Sequence, residues 1–462
     1  MIMRFECLED WLAWQESLNP KEIDLGLDRV SDVLSAASLS SSFACPLITV
    51  AGTNGKGSVV ATLEAIALAS GLKVCSYTSP HIFRYNERIK INTQAIDDDT
   101  LCQAFQRLDQ ARGDIPLTYF EFGTLAAIDI FFMQKPDLVI LEVGLGGRLD
   151  AVNVMDADVS VLTSVAIDHI DWLGDNREAI GYEKAGIFRH NKPAIYGDID
   201  PPQSVIDEAE NKQCELLLAG RDFYVTEGKS WSLKSPYQDL RDLPAPSLTG
   251  EFQRSNAATS IMAMQALQAM SLLSTEIDLA VAANAAMAQI KLSGRYQQLS
   301  DNPQVVVDVA HNPQAAAALS SQLKQTAPMI GRTWAIVAML GDKDVSGVLE
   351  ELSDDIDCWC FSGLQDIPRG LSVEALMQAL PDSFPGGEKP VMTAENQHDL
   401  ETNQCTMLSQ KVLLATGVEQ ACDMVLSTAA CEDRIIIFGS FYTVAKSMHY
   451  FSVNKDTVEL KN

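Results

Sequence analysis

The chain has 462 residues, with 34 Lys and Arg against 62 Asp and Glu, a formal net charge of −28. That acidity argues against a nucleic-acid partner, because a phosphate backbone needs a basic surface, yet it leaves room for a small anionic substrate in a locally positive pocket. Hydrophobic residues at 47% and charged residues at 21% exclude a disordered or collagen-like chain and fit roughly two or three globular domains.

The first residues, Met1 to Asp10, lack a basic segment followed by an apolar core, so no secretory signal is expected. No apolar run reaches the ~18 residues of a membrane span. Ten cysteines are scattered, with only Cys358 and Cys360 close together, which favours reduced thiols in a cytoplasm over disulfides or a zinc site. Pro46–Val50 reads as a buried strand and Val59–Ser70 as a helix ended by Gly71. Lys73–Tyr77 is a second strand. A helix over about 122–134 precedes strands at Asp137–Glu142 and Val159–Thr163. Apolar runs alternating with helical patterns predict an α/β fold, a mostly parallel sheet with helices on both faces. Around 226–250 the prolines and Gly228 break the pattern, while Trp231 and Tyr237 suggest a small β excursion before a helix over Asn256–Met270. After Ser293–Gln297 the alternation restarts at Val305–Asp308, Thr333–Met339 and Arg434–Phe438. The expected organisation is a large nucleotide-binding domain over 1–295 and a smaller α/β, Rossmann-like domain over 296–462. The last ten residues are polar and expected to fray.

The sharpest local signal is Thr49-Val-Ala-Gly-Thr-Asn-Gly-Lys-Gly-Ser58, between a strand and a helix. Glycines there let backbone N–H groups face phosphates, and the helix N-terminus adds its dipole. Lys56 would reach the β- and γ-phosphates. The match to the usual phosphate-loop pattern is imperfect, since Val50 stands where the first glycine belongs and Gly57 separates Lys56 from Ser58. The second signal is Leu141-Glu-Val-Gly-Leu-Gly-Gly-Arg-Leu-Asp150, where Glu142 ends a strand, the usual place for a metal-ligating carboxylate. Capping or ion pairing would explain Glu142 equally well. His169 follows the strand at 159–163, and Ser79 follows the strand ending at Tyr77, so both fall at the same sheet edge. Lys184, in Gly181-Tyr-Glu-Lys-Ala-Gly-Ile187, reads from its neighbours as a surface salt-bridge residue. Asp308, His311 and Asn312 occupy a strand-to-helix turn, where helix capping competes with a ligand-facing role.

Taken in order, these strings resemble the folylpolyglutamate synthase/dihydrofolate synthase family of the Mur-ligase superfamily. The resemblance runs from Ile23-Asp-Leu-Gly-Leu-Asp-Arg29 through the phosphate loop, Tyr119-Phe-Glu121, Glu142–Asn153 and Glu183–Ile187 to Gly294-Arg-Tyr296, Asp308–Pro313 and Phe438–Phe441. The imperfect phosphate loop is what this family carries. The resemblance implies that Asn54, Gly55, Lys56, Gly57 and Ser58 hold ATP phosphates, with Ser58 near one Mg²⁺. It implies Ser79, Glu142 and His169 as ligands of a second Mg²⁺. Lys184 matches a lysine carbamylated in family members, and Lys56, Lys184 and His169 form the expected catalytic set. Asn256, Arg295 and Asp308, with His311 nearby, match nucleotide contacts. Asp24, Leu25, Gly26 and Leu27, Thr118, Tyr119, Phe120 and Glu121, and Leu149, Asp150 and Ala151 match the pterin-substrate region.

The implied activity is ATP-dependent addition of L-glutamate to dihydropteroate and to tetrahydrofolates through an acyl phosphate. Arg29, Arg84 and Arg148 are expected counter-charges for these anionic substrates. A monofunctional folylpolyglutamate synthase and a Mur-type amino-acid ligase remain alternatives, although the phosphate loop at 52–58 leaves little room for a Mur-type N-terminal domain. The expected partners are small molecules, with no nucleic acid and no membrane, and the chain is expected to be a cytoplasmic monomer.

Overall fold

The computed structural model describes residues 3–226, 228, 230–326, 330–381, 406–409 and 411–454. The expected fraying of the last ten residues falls almost wholly on 455–462, outside the described residues. The chain divides into two compact units, Met1–Ser247 with Phe252–Lys291, and Leu248–Glu251 with Leu292–Asn462.

In the first unit, eight strands form one sheet: β1 (Leu47–Ala51), β2 (Val74–Tyr77), β3 (Ile89–Ile91), β4 (Gln94–Ala95), β5 (Leu138–Glu142), β6 (Val159–Leu162), β7 (Pro193–Tyr196) and β8 (Glu215–Leu218). Their order is β4-β3-β2-β5-β1-β6-β7-β8. All neighbours are parallel except at the β2-β3-β4 end. Every residue of β1, β2, β5, β6 and β7 is buried. Covering both sheet faces requires such continuous apolar runs rather than alternation, which is why Leu-Ile-Thr-Val-Ala and Leu-Val-Ile-Leu-Glu are strands. The helix Tyr119–Gln134 is buried without a break from Glu121 to Phe131, and it is accordingly apolar all round.

The expected β excursion is a three-stranded antiparallel sheet, β9 (Tyr224–Thr226), β10 (Trp231–Lys234) and β11 (Leu240–Leu243). Trp231 anchors it, fully buried, with its indole N–H donating to the Pro244 carbonyl at 2.7 Å.

The second unit holds a seven-stranded sheet of β12 (Gln297–Asp301), β13 (Gln304–Val307), β14 (Thr333–Val337), β15 (Cys358–Ser362), β16 (Thr406–Ser409), β17 (Val412–Ala415) and β18 (Arg434–Phe438). The order is β12-β13-β18-β14-β15-β17-β16, with the two outer strands antiparallel to a parallel centre. Among the described residues no helix is long and apolar enough to cross a membrane, and the described cysteines are free thiols.

Candidate active site

The four central strands of the first sheet, β2, β5, β1 and β6, end side by side, and each carries one of the chemical motifs. Ligands of open α/β sheets gather outside these carboxyl ends. From β1 the chain passes through Gly52 (φ +148°) and Gly55 (φ +89°) into a helix over Lys56–Ala69. That helix starts three residues earlier than the pattern predicted. Left-handed Gly55 ends the loop abruptly, so Lys56, Gly57 and Ser58 make the first turn. Gly55, the residue that caps this turn, has no side chain to place on it, and the helix N-terminus directs its dipole toward the loop.

Long-range bonds pin the loop. Thr163 Oγ1 donates to the Asn54 carbonyl at 2.5 Å, Asn54 N–H to Ser164 Oγ at 3.2 Å, and Thr53 N–H to the Ser164 carbonyl at 2.9 Å. Thr53 Oγ1 donates to the Ala166 carbonyl and accepts from its N–H. A Cβ on Gly52 would lie 1.8 Å from Thr163 Oγ1, and one on Gly55 would lie 2.7 Å from Asn256 Oδ1. Both positions therefore exclude any side chain, and the second brings Asn256 to the loop as expected. Thr163 and Ser164 carried no functional signal in the sequence; their part depends on the β1–β6 pairing.

Glu142 is the last residue of β5, opposite Val50 in register and buried. The backbone N–H of Ser79 donates to its Oε2 at 3.3 Å, which joins the two residues. His169 stands in a left-handed conformation (φ +53°) at the head of a short helix, Ile170–Leu173. Its own N–H donates to Asp168 Oδ1 at 2.8 Å. Among the described residues no three or more His, Cys, Asp and Glu side chains group to cage a metal. The donor types expected here are instead serine hydroxyls, one carboxylate and one imidazole beside a phosphate loop. That fits Mg²⁺, which keeps waters and takes its remaining ligands from substrate phosphates.

The glycines after Glu142 permit close packing of backbones. A Cβ on Gly144 would meet Phe120 Cζ at 2.6 Å, one on Gly147 the Lys184 carbonyl oxygen at 2.8 Å, and one on Gly186 the Cβ of Arg148 at 2.4 Å. The helix Arg177–Ala185 is thereby locked on this loop, with Arg148 N–H donating to the Glu183 carbonyl at 2.8 Å. The surface reading of Lys184 is overturned: the side chain is 5% exposed and its Nζ donates to the Gly52 carbonyl at 3.0 Å. Lys56 Nζ donates to the same oxygen at 2.9 Å and to the Thr53 carbonyl at 3.2 Å. Two lysines thus share one carbonyl of the phosphate loop.

Asp150 accepts from the N–H groups of Gly144, Leu145 and Val152 at 2.8–3.0 Å, which folds the glycine loop over itself. Burial pushes its carboxyl up to about 6 against the pull of those donors and of Lys56. Ala151 beside it is buried and Leu149 is exposed. Thr118 and Glu121 form a capping box on the helix Tyr119–Gln134. Tyr119 stands edge-on to Tyr85, and Phe120 tilts over Tyr77. Leu25, Gly26 and Leu27 lie in the half-buried turn just before the helix Asp28–Ala36. The three expected counter-charges are already engaged. Arg29 bridges Asp24 and Glu121 at 2.9 Å each, Arg84 pairs with Asp98 at 2.8 Å, and Arg148 lies near Glu183 and Glu208 and over the Tyr182 ring. An arginine the sequence reading passed over, Arg88, is buried against the rings of Tyr85 and Tyr119 and donates to His81 Nδ1 at 2.9 Å. Burial and that guanidinium push the imidazole down to about 4.

In the second unit, Asp308 is half-buried at the end of β13 and accepts from the N–H groups of Tyr296 and Ala310 at 2.8 Å. Burial raises its carboxyl, opposed by Arg295 and His311. Arg295 lies over the Phe441 ring at 5.4 Å, and His311 faces the same ring at 6.3 Å. Asn312 is a helix cap, its Oδ1 accepting from Ala315 N–H with Pro313 in the first turn, so capping accounts for that pair.

Known families and proteins share the fold of this chain. Residues 50–264 match the Mur ligase middle domain, and residues 294–441 match the Mur ligase glutamate ligase domain. The Escherichia coli dihydrofolate synthase/folylpolyglutamate synthase is 40% identical over 453 residues, covering 97% of this chain and 96% of that protein. A structure of E. coli FolC in complex with DHPP and ADP superposes with a TM-score of 0.85 at 39% identity, covering 98% of this chain and 100% of that one. A bifunctional folylpolyglutamate synthase/dihydrofolate synthase with Mn, AMPPNP and L-glutamate bound gives a TM-score of 0.82 at 37% identity, over 98% and 99% of the two chains. The chain belongs to the dihydrofolate synthase/folylpolyglutamate synthase family, ATP-dependent ligases built on Mur ligase domains.

Proposed function

We propose that this chain uses ATP and a divalent cation to join L-glutamate to dihydropteroate and to reduced folates, with the chemistry seated at the β2-β5-β1-β6 edge. The observation that carries the reading is that the phosphate loop, Ser79, Glu142 and His169 follow the ends of four adjacent strands, with Lys56 and Lys184 both donating to the loop's Gly52 carbonyl. A substrate carboxylate oxygen attacks the γ-phosphorus of ATP and ADP departs, leaving an acyl phosphate. The glutamate amine then attacks the acyl carbon, loses its proton, and inorganic phosphate leaves. Transfer between anions needs positioning and charge neutralisation more than covalent help from side chains.

Gly52–Ser58 supplies the N–H groups and the Lys56 ammonium for the phosphates. Ser58 would lie at one Mg²⁺, and Ser79, Glu142 and His169 would hold a second; when bound, these ions would neutralise phosphate charge. Within the first unit Asn256 is a nucleotide contact, and within the second the family resemblance gives that role to Arg295 and Asp308, with His311 nearby. Residues 24–27, 118–121 and 149–151 line the pterin. Lys184 acts as its carbamate, formed when the neutral amine adds to CO₂ and releases a proton. Its buried place beside Lys56 supports this, because a second ammonium there repels the first. The 1–295 portion is the ATPase part and 296–462 the glutamate-ligase part of a cytoplasmic monomer.

The test is ADP release by the purified chain with dihydropteroate and then with tetrahydrofolate, each with and without L-glutamate. Glutamate-dependent ADP release with both acceptors, lost in Glu142→Ala at unchanged far-UV circular dichroism, is expected. Release with tetrahydrofolate alone would reduce the activity to folylpolyglutamate synthesis, and release with neither would overturn the reading.

A further inference from the structure

Gln253 opens the helix Phe252–Ala269, which packs along the phosphate-loop helix; Ser260 Oγ on the same helix donates to the Val59 carbonyl at 3.2 Å. The side chain of Gln253 is 2% exposed. Its Oε1 accepts from Asn256 Nδ2 at 3.0 Å, one helical turn on. Its Nε2 is buried and has no hydrogen-bond partner among the described residues. A glutamine in that position is costly as packing material, since an apolar side chain of the same length would leave no buried donor unmatched. Its gain lies in the bond to Asn256. A carboxamide has two faces, and donation from Nδ2 to Gln253 fixes which way it points. Oδ1 is consequently the atom that packs on Gly55, where an added Cβ would sit 2.7 Å away.

We propose that Gln253 is a positioning residue for nucleotide binding, holding the Asn256 carboxamide in the single orientation in which it meets the phosphate loop. This rests on the reading of Asn256 as a nucleotide contact. A purely structural glutamine would affect stability and all substrates alike, whereas a positioning residue acts on the nucleotide and only through Asn256.

The experiment is calorimetric titration of Mg·ADP into the full chain as wild type, Gln253→Met, Asn256→Ala and the double variant, with Tm and the KM for each substrate measured alongside. Gln253→Met is expected to weaken Mg·ADP about tenfold, the scale of one orienting hydrogen bond, with Tm unchanged or raised and the KM for glutamate and folate unmoved. In the Asn256→Ala background the same change should weaken binding less than about twofold, because the coupled partner is gone. If Asn256→Ala weakens Mg·ADP and Gln253→Met does not, or the two effects are additive, the positioning role is wrong. If Asn256→Ala itself leaves Mg·ADP affinity unchanged, the nucleotide reading of Asn256 fails and the inference falls with it.

Discussion

Lys56 and Lys184 donate to one carbonyl oxygen, that of Gly52, although 128 positions separate them in the chain. Lys184→Ala is expected to lower turnover at least about 100-fold, the loss typical of a group aimed at developing charge, and short-chain carboxylates should restore part of it. Full activity in that variant would rule out the carbamate. A second residue-scale outcome concerns His81, whose imidazole is held near 4 in the folded chain and titrates near 6.5 when unfolded. Between those values the unfolded chain binds more protons, so stability rises as pH climbs from about 4 to 6.5 and is lost on the way down. Allowing for partial exposure, the span is about 2 kcal/mol. Urea unfolding at pH 4.5 and 7.5 should show His81→Gln, which keeps an acceptor for Arg88, losing that part of the pH dependence. An unchanged difference between the two pH values would contradict it. At this scale local motifs made the placement of some residues legible: Lys56 and Ser58 lie in the first turn of a helix after a glycine loop, and Glu142 ends a strand. The surface reading of Lys184 failed because its burial is created by a loop nearly forty residues earlier, and the carboxylate partners of Arg29, Arg84 and Arg148 were not legible because tertiary contacts set them.

The element scale is governed by glycines that let loop and helix backbones touch. Gly186 has an ordinary helical backbone (φ −58°), so a substitution there is opposed by contact alone: its Cβ would meet Arg148 Cβ at 2.4 Å and Cα at 2.5 Å. Gly186→Ala should push the helix carrying Lys184 away from the glycine loop. The expected result is a fall in kcat of about tenfold or more with a Tm loss of only a few degrees, since a shift near 1 Å at a reacting centre costs more in rate than in stability. A Tm loss with kcat preserved would mean that the contact serves folding alone. Strands and their order of motifs were legible because fully buried parallel strands leave unbroken apolar runs, as in Leu47–Ala51 and Leu138–Glu142. Helix starts were less so: Lys56 and Phe252 begin their helices three and four residues before the pattern suggested, because Gly55's left-handed turn and the local polar residues mask the first turn.

For the whole molecule, an excess of 28 negative charges repels itself in the folded state. Raising NaCl from 20 to 300 mM should therefore lift Tm by about 2–4 °C as screening takes hold; a fall in Tm would show that attractive pairs outweigh the repulsion. The same excess leaves the site to neutralise anionic ATP and folate with its own lysines and bound cations. The central claim, activation of a substrate carboxylate as an acyl phosphate, is tested most directly by supplying dihydropteroate with an ¹⁸O-labelled carboxylate and analysing the released phosphate by mass spectrometry. The account predicts one labelled oxygen in the phosphate for each glutamate added. Unlabelled phosphate accompanying amide formation would contradict it.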